Sequence, residues 1–157
     1  MNVRGSIAWL VLVGSLGSFG CGGDVLDPAA MHSFYEASTA DGQPLPITRF
    51  AVVSNAAGSC ESDLIGVTIM VEDGHYNLSV TMDRRCSGTV GTERISSRSA
   101  GEVIRSGDEL RFTATTPAEY RIVEAALSTS GLSATLQRGS GTTFDVQFDA
   151  VPGLVVQ

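Results

Sequence analysis

Catalysis in this 157-residue chain would have to be built from two histidines, a few cysteines and 17 scattered carboxylates. A nucleophilic triad needs a histidine beside a serine or cysteine. His75 follows the turn Asp73-Gly74 and is expected in solvent, and His32 stands where the folded region begins. Neither lies in a motif, and there is no Gly-x-Ser-x-Gly elbow. Cys60 and Cys86 are too far apart for a zinc knuckle, and no His-x-x-x-His pair is present. Glu72-Asp73 lacks the spaced carboxylates of a calcium loop. No pair of acids can be assigned to sugar cleavage. The residues therefore read as a non-enzymatic protein without catalytic residue, metal or cofactor.

Cys21 carries a different chemistry. It closes a segment with a basic start at Arg4, an apolar run over residues 7–13, and small residues before the cysteine. That is the layout of an export signal. A spanning helix needs roughly 20 apolar residues, and Gly14, Ser15, Gly17 and Ser18 interrupt this one. The run Ser18-Phe19-Gly20-Cys21 resembles the bacterial lipoprotein signal, although Ser18 and Phe19 stand where that pattern prefers Leu and Ala or Ser. The resemblance implies a lipid on Cys21 and a membrane held through it. Gly22, rather than Asp, after the cysteine implies the outer membrane, facing the periplasm or the cell surface. Residues 1–20 would then be signal, residues 21–31 lipidated cysteine and tether, and residues 32–157 one domain.

Beyond the signal there are nine arginines, no lysine and 17 acidic residues. Such a chain has no overall field for nucleic acid or anionic lipid. In an exported chain the remaining pair Cys60 and Cys86 is expected as a disulfide. Arg84, Arg85, Arg94 and Arg98 gather around Cys86. They could form a rim for an acidic ligand or partner. The reading we favour is a solvated face balanced by Glu61, Asp63 and Glu93.

These residues must be placed by strands. Ile65, Val67, Ile69 and Val71 alternate toward Asp73-Gly74, and Tyr76, Leu78, Val80 and Met82 alternate away from it. A two-residue turn there sets Val71 beside Tyr76, Ile69 beside Leu78, Val67 beside Val80 and Ile65 beside Met82. The same register puts Asp63 opposite Arg84 and leaves Cys60 and Cys86 on opposite faces. A bulge between residues 63 and 66, or a swing of the preceding loop, would reunite the cysteines. Further strands are expected over residues 32–39, 47–54, 101–105, 109–115, 131–137 and 144–148. Residues 55–59 and 87–99 read as polar loops, mobile for part of the latter. Residues 120–128 suit either a strand with Val123, Ala125 and Leu127 on one face, or a helix. Eight to ten short strands joined by turns predict an all-β fold. An antiparallel up-and-down meander closing into a barrel of about eight strands is expected, with a β-sandwich as the alternative.

The punctuation Asp41-Gly42-Gln43-Pro44-Leu45-Pro46, Glu72-Asp73-Gly74-His75-Tyr76 and Ser106-Gly107-Asp108 resembles small bacterial lipocalin-like β-barrel lipoproteins, most of them uncharacterised. The resemblance implies a small lipocalin-like barrel and export, and no particular ligand. There is no Gly-x-Trp near the first strand, and Arg105 occupies an inward apolar place of the pattern. Either Arg105 points into the barrel, where a ligand carboxylate or phosphate would pair with it, or Ile104 points in and Arg105 out. Two functions compete. In the first, a small apolar or amphipathic ligand sits inside, lined by Ile65, Val67, Ile69, Tyr76, Leu78, Val80, Arg105, Leu110 and Phe112. In the second, the barrel is filled, and an envelope protein is bound through surface loops as an inhibitor or assembly factor binds.

Overall fold

The computed structural model describes residues 33–56, 58–115, 117–128, 131–139 and 141–151. Cys21, the segment before it, the tether and His32 lie outside the described residues. Ten strands follow in order: β1 (Ser33–Ala40), β2 (Gln43–Pro44), β3 (Ile47–Asn55), β4 (Gly58–Glu72), β5 (His75–Cys86), β6 (Glu93–Ser106), β7 (Glu109–Ala114), β8 (Tyr120–Ser128), β9 (Gly131–Arg138) and β10 (Thr143–Ala150). No helix occurs among the described residues. Strands β4 to β10 pair in chain order, and β1 lies between β10 and β4. All these pairings are antiparallel, so eight strands close into an up-and-down barrel. The sandwich is set aside. Strands β2 and β3 are extra. They occupy the place where β1 and β4 part after sharing the pairs Ser33↔Val71 to Glu36↔Thr68.

The barrel has two distinct ends. The chain enters at Ser33 and leaves β10 at Ala150 on the same end, where the Val151 N–H donates to the Phe34 carbonyl at 2.9 Å. The turn at Asp73-Gly74 shares this entry end. The far end carries Ala40, the β9–β10 turn and the disulfide.

Period-two alternation fills the interior. Val67, Ile69, Leu78, Val80, Leu110, Leu136 and Phe148 are each at most 2% exposed, as are Tyr76 and Tyr120. They form one continuous core with the inward residues of β1, β8 and β9. Burying each large apolar side chain contributes about 1.5–3 kcal/mol. Outward positions such as Asn77, Glu102, Arg111 and Asp149 are solvated.

The hairpin register is as expected from the turn down to Val67↔Val80. A bulge then falls between Leu64 and Gly66, and Cys60 comes directly opposite Cys86. The two cysteines are disulfide-bonded. The bulge corrects two expectations. Leu64, fully buried, stands opposite Met82, while Ile65 is the extra residue and only half-buried. Asp63 stands opposite Asp83, not Arg84, and its ion pair is with Arg85 at 2.9 Å. One inserted residue turns every later side chain to the other face, which accounts for both changes.

Other boundaries also move. Residues 93–99, read as loop, continue into residues 101–105 as the single 14-residue strand β6. The loop read at residues 55–59 is a tight connection, with Asn55 already paired to Gly58. Residues 120–128 are strand. A bulge between Ile122 and Glu124 leaves Val123 outside at 49% exposure, with Ile122 and Ala125 buried. Ile104 is 58% exposed, so it does not point inward. Arg105 shares the inward parity of Val103 but sits at the entry rim, half-buried, its Nε donating to the Gly107 carbonyl at 2.8 Å.

Candidate functional site

The far end is where the fold departs from a plain barrel. Strand β3 pairs along β4 from Ile47↔Leu64 to Asn55↔Gly58, and among the described residues no strand pairs with its other edge. The run Phe50-Ala51-Val52-Val53 is apolar throughout and does not alternate. Phe50 turns toward the barrel and meets Phe144 edge-on, 4.9 Å between ring centroids. Phe144 meets Tyr120 in the same manner at 6.1 Å. Three rings thus stop the far mouth. Val52 and Val53 remain about half exposed.

Asp63 fastens this cap. It is 7% exposed. Its Oδ1 accepts the Arg49 backbone N–H at 2.8 Å and Arg85 Nη2 at 3.0 Å. Arg49 has a positive φ of 54°, and the β3 register slips between Ile47 and Ala51. A non-glycine residue in that region is uncommon. Here the kink turns the N–H onto the carboxylate. Arg49 Nη2 also reaches Glu61 Oε1 at 2.9 Å. Substituting Asp63→Ala leaves the Arg49 N–H unpaired under the cap. Arg85 is half-exposed, so its share is screened, and the expected loss is about 2 kcal/mol. A urea melt measures it, and hydrogen exchange at the Arg49 amide should quicken before the core opens. Unchanged exchange there would show that Asp63 does not hold β3.

The remaining arginines around Cys86 are mostly paired. Arg84 bonds Glu93 at 2.7 Å, and Arg94 holds Asp83 through two bonds of 2.8 and 2.9 Å. The Arg94 hydrogen bonds keep the Asp83 carboxyl below its ordinary range. The cluster is thus largely the balanced face, with Asp83 as an acid not foreseen. Arg98 is exposed and has no carboxylate partner among the described residues.

Behind the cap, Arg138 lies 5.9 Å over the Tyr120 ring and bonds Glu119 Oε1 at 2.9 Å. The Tyr120 hydroxyl donates to Met82 Sδ at 3.7 Å. Burial pushes this phenol up to about 12, with Arg138 opposing and Glu119 adding. A raised folded-state value means stability is whole below pH 10 and falls as pH rises through about 10 to 12. The loss amounts to about 2–3 kcal/mol. Absorbance titration of tyrosinate should show a phase near pH 12 that is lost in Tyr120→Phe. A titration unchanged at its high-pH end in Tyr120→Phe would contradict this placement.

Three clefts open on the described surface. One of about 270 Å³ lies beneath β3, with Phe50, Tyr120, Arg138 and Phe144 in its wall. One of about 580 Å³ adjoins the ends of β7 and β8, with Ala114, Thr115, Arg121 and Gln137. One of about 250 Å³ lies on the outer face of β8, β9 and β10. None of the three is lined by Ile65, Val67, Ile69, Tyr76, Leu78, Val80, Arg105, Leu110 or Phe112. Phe112 is half-buried and packs edge-on to Tyr76 at 5.0 Å. His75 is exposed at the entry end. Among the described residues no three of His, Cys, Asp and Glu converge as metal ligands, and no helix is long and apolar enough to cross a membrane. Phe50, Arg121 and Arg138 were not singled out from sequence. The unalternating Phe50 run was the available signal for the cap. Compared with protein-family models, curated proteins and solved structures, the chain matches none.

Proposed function

We propose that this protein is a non-enzymatic, lipid-anchored envelope module that binds another protein through its far end. The observation that supports this reading is the burial of the inward side chains. Of the side chains that would line an internal ligand site, Val67, Ile69, Tyr76, Leu78, Val80 and Leu110 belong to one buried core, with Val67, Ile69 and Val80 at 0% exposure. An apolar ligand would have to displace core side chains that are close-packed. Anchorage through Cys21 sets the orientation. The chain enters the barrel at Ser33, so a lipid-held protein carries its entry end toward the membrane and its far end away from it. The far end holds β3, the half-exposed Val52 and Val53, and two of the three clefts.

Native mass spectrometry of the full-length protein taken from its own membranes tests this. The expected result is an acylated mass with no releasable small molecule. A photo-crosslinker at Val52 should then trap an envelope protein, while one at Ile104 traps none. A stoichiometric hydrophobe released from the barrel would overturn the reading and restore an internal ligand.

A further inference from the structure

The barrel wall is not evenly closed. Seven of its seams carry ladders of four or more pairs, but β7 and β8 share only Glu109↔Ala126. The Leu127 N–H adds a bond to the Asp108 carbonyl at 2.8 Å, also at the entry end. Toward the far end, Leu110 to Ala114 and Tyr120 to Ala125 have no ladder partner across the seam among the described residues. Backbone donors and acceptors left so at a strand edge are a template for another strand. The edge is also accessible: Arg111, Thr113 and Ala114 on β7 and Arg121 on β8 are exposed.

A second observation concerns charge. Arg121 stands beside this opening and in the wall of the 580 Å³ cleft. Its Nε and Nη2 both donate to Gln137 Oε1, a neutral acceptor, with the Nε bond at 2.8 Å. No carboxylate pairs with it among the described residues. The neighbouring Arg138 is neutralised by Glu119. The cleft therefore carries a surplus positive charge on a chain of formal net charge −7. Arg98 also lacks a carboxylate, and β6 is paired there only with β5, but Arg98 lines none of the three clefts.

We propose that the open β7–β8 seam is a strand-addition site for an extended peptide segment bearing a side-chain carboxylate, which Arg121 anchors. The backbone of the segment takes up the unladdered edge, and its carboxylate replaces or joins the Gln137 amide on the guanidinium. Main-chain bonds supply the affinity in this mode, and the anchored side chain the selectivity. The proposal rests on the protein-binding reading above and names the class of partner.

Selection from a phage-displayed random heptapeptide library, run in parallel on the full-length protein and its Arg121→Gln variant, tests it. The wild type should enrich β-branched peptides with Asp or Glu at one fixed place. A selected peptide should bind Arg121→Gln at least tenfold more weakly. Its Asp-to-Asn version should bind both proteins alike. Amide shifts on binding should fall on residues 110–114 and 120–125. Matching thermal melts of the two proteins exclude a folding defect, since Arg121 is exposed. Equal binding by both proteins, or shifts confined to β3, would overturn the seam proposal and leave the protein-binding reading standing. Enrichment of no peptide, with inorganic phosphate alone moving the Arg121 signal, would overturn it in favour of a simple anion site. A hydrophobe found in the barrel would instead remove the reading on which it rests.

Discussion

Gly101→Ala is expected to unfold the barrel. Gly101 lies buried in β6, opposite Tyr76 on one side and Ala114 on the other. A Cβ added there would sit 2.0 Å from the Thr113 carbonyl oxygen and 2.8 Å from its carbon. It would also meet Tyr76 Cε1 at 2.8 Å. The first two are backbone atoms of β7, so no rotamer change relieves them. Moving them breaks the β6–β7 ladder, and moving Tyr76 breaks its edge contact with Phe112 and its hydroxyl bond with Ser99 at 3.3 Å. Overpacking of a backbone approach belongs to the rare class above about 4 kcal/mol. Natural domains hold only about 5–15 kcal/mol in all. Gly66→Ala is the control. No atom lies within 4 Å of its added Cβ, so the loss should stay below about 1 kcal/mol. Guanidinium melts of the two variants check the contrast. Similar midpoints would mean that β7 does not approach β6 at Thr113 as described.

Removing the disulfide is the second large effect. Cys60 and Cys86 are 26 residues apart and close the open end of the β4–β5 hairpin. On the chain-entropy model a loop of that length is worth about 3.5 kcal/mol. The double variant Cys60→Ala/Cys86→Ala should lose about that much. The loss should appear first at the far end, because Cys60 also pairs with Val53 of the cap and the Ser87 N–H donates to the Ser59 carbonyl beside it. Hydrogen exchange should therefore rise in β3 before it rises at Val67 or Val80. An unfolding free energy from urea melts that stays within about 1 kcal/mol of the wild type in the double variant would show that the paired strands alone hold this end.

Sequence carried the hairpin far. Apolar alternation around a two-residue turn sets pairing by arithmetic, and the one-residue mismatch between that register and the cysteines pointed to a bulge at residues 63–66 or a swing of the loop before it. The bulge lies there. Which residue it ejects was not legible, because Leu64 and Ile65 are both apolar and either suits the inner face. The barrel class followed from turn spacing in the same manner. What escaped was non-local or polar. Strand β6 places Ser97, Ser99 and Gly101 on its inward face between Ile95 and Val103, so its alternation carried little hydrophobic signal. The cap depends on Phe50 meeting Phe144, 94 positions on, and on Asp63 catching a backbone N–H at Arg49. Arg121 gave no sign in sequence, since its distinction is the lack of an acid across a seam that no local pattern describes. Bulges at Ile65 and Val123 each invert parity, and parity is the only quantity that alternation supplies.

The position of β1 between β10 and β4 governs when this chain can be finished. Tyr35 pairs with Ala150, and Ser33 with Val71. The β4–β5 hairpin and its disulfide are local and can form as soon as residue 86 is available. The first strand, by contrast, waits for the last, and contacts of such sequence separation are slow to form. Until residues 143–150 arrive, β1 and β9 each present a bare edge, and partly assembled sheets of this kind associate with one another. Loss of the final strand would thus yield an aggregating open sheet, not a smaller barrel.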